Sequence, residues 1–186
     1  TLAVQLQSVD VSNFDFFFER MGFNLDGFIS GDAMVSGLKE RPMVLAELAV
    51  NRLGVNEELI GDLAVNSSWD NENKAIDLGV NILDHEKQVL NVSGYYYTAR
   101  KEDNLDLSAE LNDLRLNVLS PFLAGVVTRM QGYADGWVTV SGSLNRPHLD
   151  GRIQVIDGGC KVDYLNTFYT FEPTILIDSR SISLND

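Results

Sequence analysis

Glycines and prolines recur in this chain at one fixed separation, and that recurrence constrains its fold more than any other feature. "SGDAMVSGLKERPMVLAELAVNRLG" at residues 30–54 returns as "DGWVTVSGSLNRPHLDGRIQVIDGG" at residues 135–159. With Gly31 set on Gly136, 105 residues on, Ser36-Gly37 falls on Ser141-Gly142 and Arg41-Pro42 on Arg146-Pro147 without a gap. Upstream, Val9, Val11 and Phe14 fall on Leu114, Leu116 and Leu119, and Asp15 falls on Ser120. Four of the five glycines in the first 55 residues land on glycine. Shared register of turn formers and apolar positions is the signature of an internal repeat. It divides the chain into a first copy, residues 1–105, and a second, incomplete copy, residues 106–186.

Within each copy the apolar residues alternate with period two, which places successive side chains on opposite faces of a sheet. Val44, Ala46, Leu48 and Val50 fall on one face. Ile76, Leu78, Val80 and Ile82 do the same, as do Leu105, Leu107, Ala109 and Leu111, then Val138 and Val140, and Ile153 and Val155. Loops such as "DNENK" at Asp70, "DHEKQ" at Asp84 and "RKEDN" at Arg100 separate the runs, so neighbouring antiparallel strands are expected. Two short helices interrupt them. One is expected around Phe14, Phe17, Phe18 and Met21, and the other at Leu119, Phe122, Leu123, Val126 and Met130 behind an N-cap at Ser120 and a proline at Pro121. The apolar face needs a cover. A second sheet closing a sandwich supplies one; a single long sheet curled into a gutter, open to a ligand, is the alternative.

Composition removes several function classes. A formal net charge of −13 disfavours nucleic acid and anionic headgroups, both of which need lysine and arginine. At 45% hydrophobic and 22% charged, the chain is that of a folded domain. It holds no apolar run near the roughly 20 residues that span a bilayer. A single cysteine, Cys160, excludes an internal disulfide and reads as a small packed thiol. The only histidines, His85 and His148, sit in unrelated loop positions, and no nucleophile elbow or phosphate loop is present. Asp70, Glu72, Asp77, Asp103 and Asp106 lack the spacing of a calcium loop. Tyr95 and Tyr97 share a face opposite Tyr96, an arrangement that strand packing explains. No catalytic residue, metal ligand or cofactor is therefore assigned, and the chain is expected to be no enzyme.

From Leu111 to Gly159 the chain resembles the C-terminal region of the TamB family, relatives of AsmA-like proteins of Gram-negative envelopes. An apolar segment (Leu116, Leu119, Pro121, Phe122, Leu123) precedes a phrase carried by Gly132, Gly136, Val140, Gly142, Leu144, Pro147, Leu149, Gly151, Ile153, Asp157 and Gly158. The first copy is more degenerate, with Ala46 where Gly151 would stand. The resemblance implies a mainly β fold: a long, curled, largely antiparallel gutter built from repeats of about 105 residues, with short helices. It implies a periplasmic segment of an inner-membrane-anchored protein, the anchor lying outside this fragment. It also implies conduction of phospholipid or another acyl-chain ligand between the membranes, and an Omp85-type barrel protein as partner. The expected lipid groove is the apolar face of Val44, Ala46, Leu48, Val50, Ile76, Leu78, Val80, Val138, Val140, Ile153 and Val155. An acyl chain of about 16 carbons costs on the order of 12 kcal/mol to hold in water, so a continuous apolar wall suits that role. The second reading is an interaction module whose open edge adds a strand and so assists outer-membrane protein assembly.

Overall fold

The computed structural model describes residues 2–14, 24–36, 43–55, 58–123, 125–178 and 181–185. Among them, twelve strands form one antiparallel sheet: β1 (Leu2–Asp10), β2 (Leu25–Ser36), β3 (Met43–Val55), β4 (Glu58–Asp70), β5 (Ala75–Asp84), β6 (Lys87–Tyr96), β7 (Leu105–Arg115), β8 (Val127–Ser143), β9 (Arg146–Val162), β10 (Thr167–Phe171), β11 (Thr174–Asp178) and β12 (Ser181–Asn185). Strands follow each other in chain order from β1 to β9. Beyond β9 the path continues through β11 to β12, while β10 folds back on the end of β9.

Short turns make this meander possible. His85 and Glu86 both take positive φ, 49° and 68°, between the paired Asp84 and Lys87. That is the left-handed two-residue connection whose twist matches antiparallel strands. At the β4–β5 turn, Asp70 Oδ1 accepts hydrogen bonds from the backbone N–H groups of Glu72 and Asn73, at 2.7 and 3.0 Å. "SGSLNRP" is a two-residue hairpin turn: Ser143 pairs with Arg146 across Leu144-Asn145, and Gly142 pairs with Pro147. Its Ser-Gly and Arg-Pro pairs lie inside the ladder and do not interrupt it. The matching phrase of the first copy, residues 37–42, lies outside the described residues.

Two expectations need correction. The sheet is open, its order linear, with β1 and β12 at opposite ends and no ladder joining them; it is neither closed nor curled into a gutter. There is also no true helix among the described residues. The second apolar segment forms a 3-10 stretch over Leu116–Leu123, and Met130 belongs to β8. Gly125, at φ 81°, breaks any continuing helix, and Val126, Val127 and Thr128 are β-branched residues that favour extended backbone. In the first copy a 3-10 turn occupies Val11–Phe14, and the rest of the expected helix, through Met21, lies outside the described residues.

The 105-residue separation is written into the backbone. Ser8 and Asp113 have φ of 49° and 51°, each in a bulge, between Leu6 and Val9 in β1 and between Leu111 and Leu114 in β7. Each bulged N–H donates to a side chain on the neighbouring strand: Ser8 to Ser30 Oγ at 2.9 Å, and Asp113 to Asp135 Oδ1 at 2.5 Å. A second bulge pair lies between Asp26 and Phe28 and between Gln131 and Tyr133. Both 3-10 stretches open on a buried aliphatic residue, Val11 at 6% exposure and Leu116 at 5%. Correspondence ends after β3, because β4 is one strand of 13 residues whereas β9 is followed by the short β10 and β11.

Candidate interaction surfaces: two faces and an open edge

Directly paired residues of an antiparallel sheet share a face, so the register assigns both faces. One row runs Leu6, Gly31, Leu48, Val65, Val80, Val92, Ala109, Val138 and Gly151. Its neighbour runs Ile29, Val50, Leu63, Ile82, Leu90, Leu111, Gly136, Ile153 and Ile175. On the other side, Ala33, Ala46, Ser67, Leu78, Gly94, Leu107 and Val140 follow one another. Val44 pairs with Val35, Ile76 with Trp69 and Tyr96, and Val155 with Ala134. All eleven residues singled out from the alternation therefore occupy positions of a single parity.

That face shelters its own centre. Val155 (2% exposed), Ala134 and Leu116 form a buried cluster, packed by Leu111, Met130, Ile153, Phe171 and Ile175. The 3-10 stretch brings Leu116 over the sheet, and a polar clamp fixes it there. Asp84 Oδ2 lies 2.9 Å from Arg115 Nε, Arg115 Nη2 donates to the Leu59 carbonyl at 3.0 Å, and Asn117 Nδ2 donates to Glu58 Oε2 at 2.9 Å. At the other end of β5, Ala75 and Ile76 are buried beside Trp69 and Tyr96.

The opposite face is polar, and a broad concavity of about 860 Å³ opens on it across β1 to β6. Its wall residues Gln5, Asp32, Glu47, Asn66, Asn81 and Asn91 pair with one another or with residues of the same parity, the parity opposite to the apolar rows. The lipid-groove reading is corrected here. No curled or closed groove is formed by the apolar rows of an open sheet, and the hollow that the sheet does have is of mixed lining, with Asp32, Glu47, Asn66 and Asn81 beside Met34, Leu45, Ala46 and Leu78, so that of the expected groove residues only Ala46 and Leu78 reach it. Nor is any helix of the described residues long and apolar enough to cross a membrane. Alternation along strands determines parity, whereas the direction in which a sheet bends is set by bulges and twist.

The remaining chemistry-bearing residues are dispersed. His85 Nδ1 lies 2.7 Å from Asp84 Oδ1, His148 stands on β9 opposite Ser141, and no group of three or more potential metal ligands forms among the described residues. Cys160 is half-buried on β9, opposite Tyr169. The rings of Tyr95 and Tyr97 lie 6.1 Å apart, tilted by 40°, and the Arg100 guanidinium lies 3.5 Å over the Tyr97 ring, a cation–π contact absent from the sequence reading. Partial burial and the nearby Asp70 and Asp77 carboxylates push the Tyr95 hydroxyl above its usual range. The Lys87 ammonium is likewise held above its ordinary value by its hydrogen bond to Asp113.

Among the described residues β1 and β12 end the sheet, and neither Leu2–Val9 nor Ser181–Asn185 carries a charged residue or a proline. Among the described residues β1 pairs only with β2, and Leu2 (56%) and Val4 (37%) are exposed. The flank of β9 beyond the end of β11, residues 146–150, carries Arg146, Pro147, His148 and Asp150, and so is blunted by charge and proline. The free edge of β1 has no such guard. Compared with family models, curated proteins and solved structures, the chain finds no match in any of the three.

Proposed function

We propose that this chain is a non-catalytic, sheet-extending interaction module that engages an extended polypeptide by strand addition at the edge of β1. The observation that carries this reading is the row of backbone N–H and C=O groups along Leu2–Leu6 that no strand among the described residues pairs, on a strand whose 105-residue counterpart, β7, is paired on both sides. Main-chain hydrogen bonds supply affinity in strand addition, and alternate side chains supply selectivity. On this reading residues 1–105 and 106–186 are two copies of one sheet unit, the second incomplete. The resemblance to the TamB family supports a periplasmic setting, within a protein anchored in the inner membrane, and an Omp85-type barrel as the protein partner.

Amide hydrogen exchange tests the reading. A panel of ten-residue peptides with period-two apolar alternation should slow exchange in β1 and leave the interior strands β4 and β5 unchanged. If no peptide in the panel alters exchange at β1 or at β12, strand addition is wrong.

A further inference from the structure

The apolar face is larger than one chain can cover, and its area points to what covers it. We infer that two copies of this chain stack face to face across the row of Leu48, Val65, Val80, Val92, Ala109 and Val138, each sheet serving as the second layer of the other. The register of β3 to β8 sets that row side by side. Every member of it is only half-buried. Beyond ladder partners, the elements that pack substantially among the described residues are the two 3-10 stretches, against β2, β4 and β8, and no strand lies across the face.

A folded monomer of 20.6 kDa exposes about 8,900 Å² by the scaling of surface with mass. This chain exposes 12147 Å², about 3,200 Å² more, and among the described residues no large side chain is fully buried. Two copies that each withdrew half of that excess, about 1,600 Å², would bury about 3,200 Å² together, within the roughly 2,000–5,000 Å² of obligate homodimers. The face also suits a copy of itself. A two-fold interface sets a surface against its own image, so charge on it would meet like charge. From β2 to β9 the row and its neighbour through Ala46, Ser67 and Leu78 hold no charged residue. Asp32, Glu47 and Glu110 stand exposed on the opposite parity, so a third layer would meet carboxylates and the stack closes at two. Sheets stacked in this way keep their strands nearly aligned, and the edge of β1 stays free.

Sedimentation equilibrium of the whole 186-residue chain, from micromolar to millimolar concentration, should give a mass that rises to twice 20.6 kDa. Val80→Glu sets a carboxylate against apolar surface in both copies and should weaken the dimer at least about hundredfold. Asn81→Glu, one residue on and on the opposite face, should leave the dimer within about threefold of the unsubstituted chain. Far-ultraviolet circular dichroism checks that both variants fold. If Val80→Glu does not, isotope-filtered NOEs on the unsubstituted chain decide: a sample mixing labelled and unlabelled copies should show contacts between copies at the methyl groups of Val65, Val80 and Val92. Three results overturn the inference: a mass that stays at 20.6 kDa at millimolar concentration, a dimer that Val80→Glu and Asn81→Glu weaken equally, or contacts between copies confined to Leu2, Val4 and Leu6, the pattern of edge pairing.

Discussion

Gly27 and Gly132 stand 105 residues apart at equivalent bulges, and replacing each by alanine measures how much of the sheet's geometry depends on that shared device. Both have positive φ, 127° and 98°. A Cβ at Gly27 would lie 2.9 Å from the Asn51 carbonyl oxygen and 3.0 Å from that of Arg52. At Gly132 the same atom would lie 2.5 Å from the Asp157 oxygen and 2.7 Å from that of Ile156. Positive φ in a residue with a Cβ costs about 1–2 kcal/mol, and forcing a methyl group against fixed neighbours costs about 1–3 kcal/mol more. Alanine's lower entropy in the unfolded chain returns about 0.4–1 kcal/mol. Gly27→Ala should therefore destabilise by about 2 kcal/mol and Gly132→Ala by about 3–4 kcal/mol. Gly79 is the control: nothing lies within 4 Å of its notional Cβ, and Gly79→Ala should be neutral or stabilising by up to about 1 kcal/mol. Urea unfolding followed by the fluorescence of Trp69 and Trp137 gives the midpoints, compared at constant m. The geometric reasoning fails if Gly132→Ala unfolds within about 0.5 kcal/mol of Gly79→Ala, or if Gly27→Ala is the more damaging of the pair.

Two further expectations concern the cluster and the turns. Val155→Ala removes two methyl groups from a residue 2% exposed and should cost about 2 kcal/mol; Val138→Ala, on the same face but only half-buried, should cost less than half as much in the same urea experiment. The Asp70 carboxyl is held below its ordinary value chiefly by the Asn73 side chain, then by the Asn73 backbone N–H. Because its pKa is depressed in the folded state, its contribution to the β4–β5 turn is present above the usual carboxylate value and is lost as pH falls through the lowered one. An NMR titration should show the Glu72 and Asn73 amides shifting together with the Asp70 carboxyl, at a midpoint below the ordinary carboxylate value of 3.8; a midpoint at or above that value contradicts the turn geometry.

What could be read in advance follows from which property each pattern encodes. Period two is strand geometry itself, so Val44, Ala46, Leu48 and Val50 could be assigned to one parity and, through a shared register, joined to Ile76, Leu78 and Val80. Curvature has no such code. The concavity is visible afterwards in the intervening residues, since Asp32, Glu47, Asn66 and Asn81 are the polar partners of the same alternation. Nothing in that alternation says which parity a bend will enclose. The helix expected through Met130 failed for a local reason: Leu119, Phe122, Leu123, Val126 and Met130 fit helical spacing, but Gly125 and the β-branched run behind it favour a 3-10 stretch followed by a strand. Arg115 and Asn117 were overlooked because their partners, Leu59 and Glu58, are more than fifty residues away in sequence. The acidic Glu58 and Asp84, each at a strand terminus, were the available signal.

The bulges also bear on the edge. A bulge twists a strand and leaves one residue outside the ladder, which often serves to end pairing at an exposed edge. In β7 it does not do so: the Asp113 bulge lies beyond Leu111, and β6 pairs from Leu105 to Leu111 without interruption. The equivalent bulge in β1 lies beyond Leu6, so the stretch from Leu2 to Leu6 remains regular, uncharged and free of proline. A device that would blunt the edge is thus placed where it does not interfere with it. The bulged Ser8 N–H donates to Ser30 Oγ, which ties β1 to β2, while among the described residues the other side of β1 is unpaired. An edge anchored on one side and regular on the other meets the geometric requirement for adding a strand, and its length, five residues from Leu2 to Leu6, matches the typical strand that it would receive.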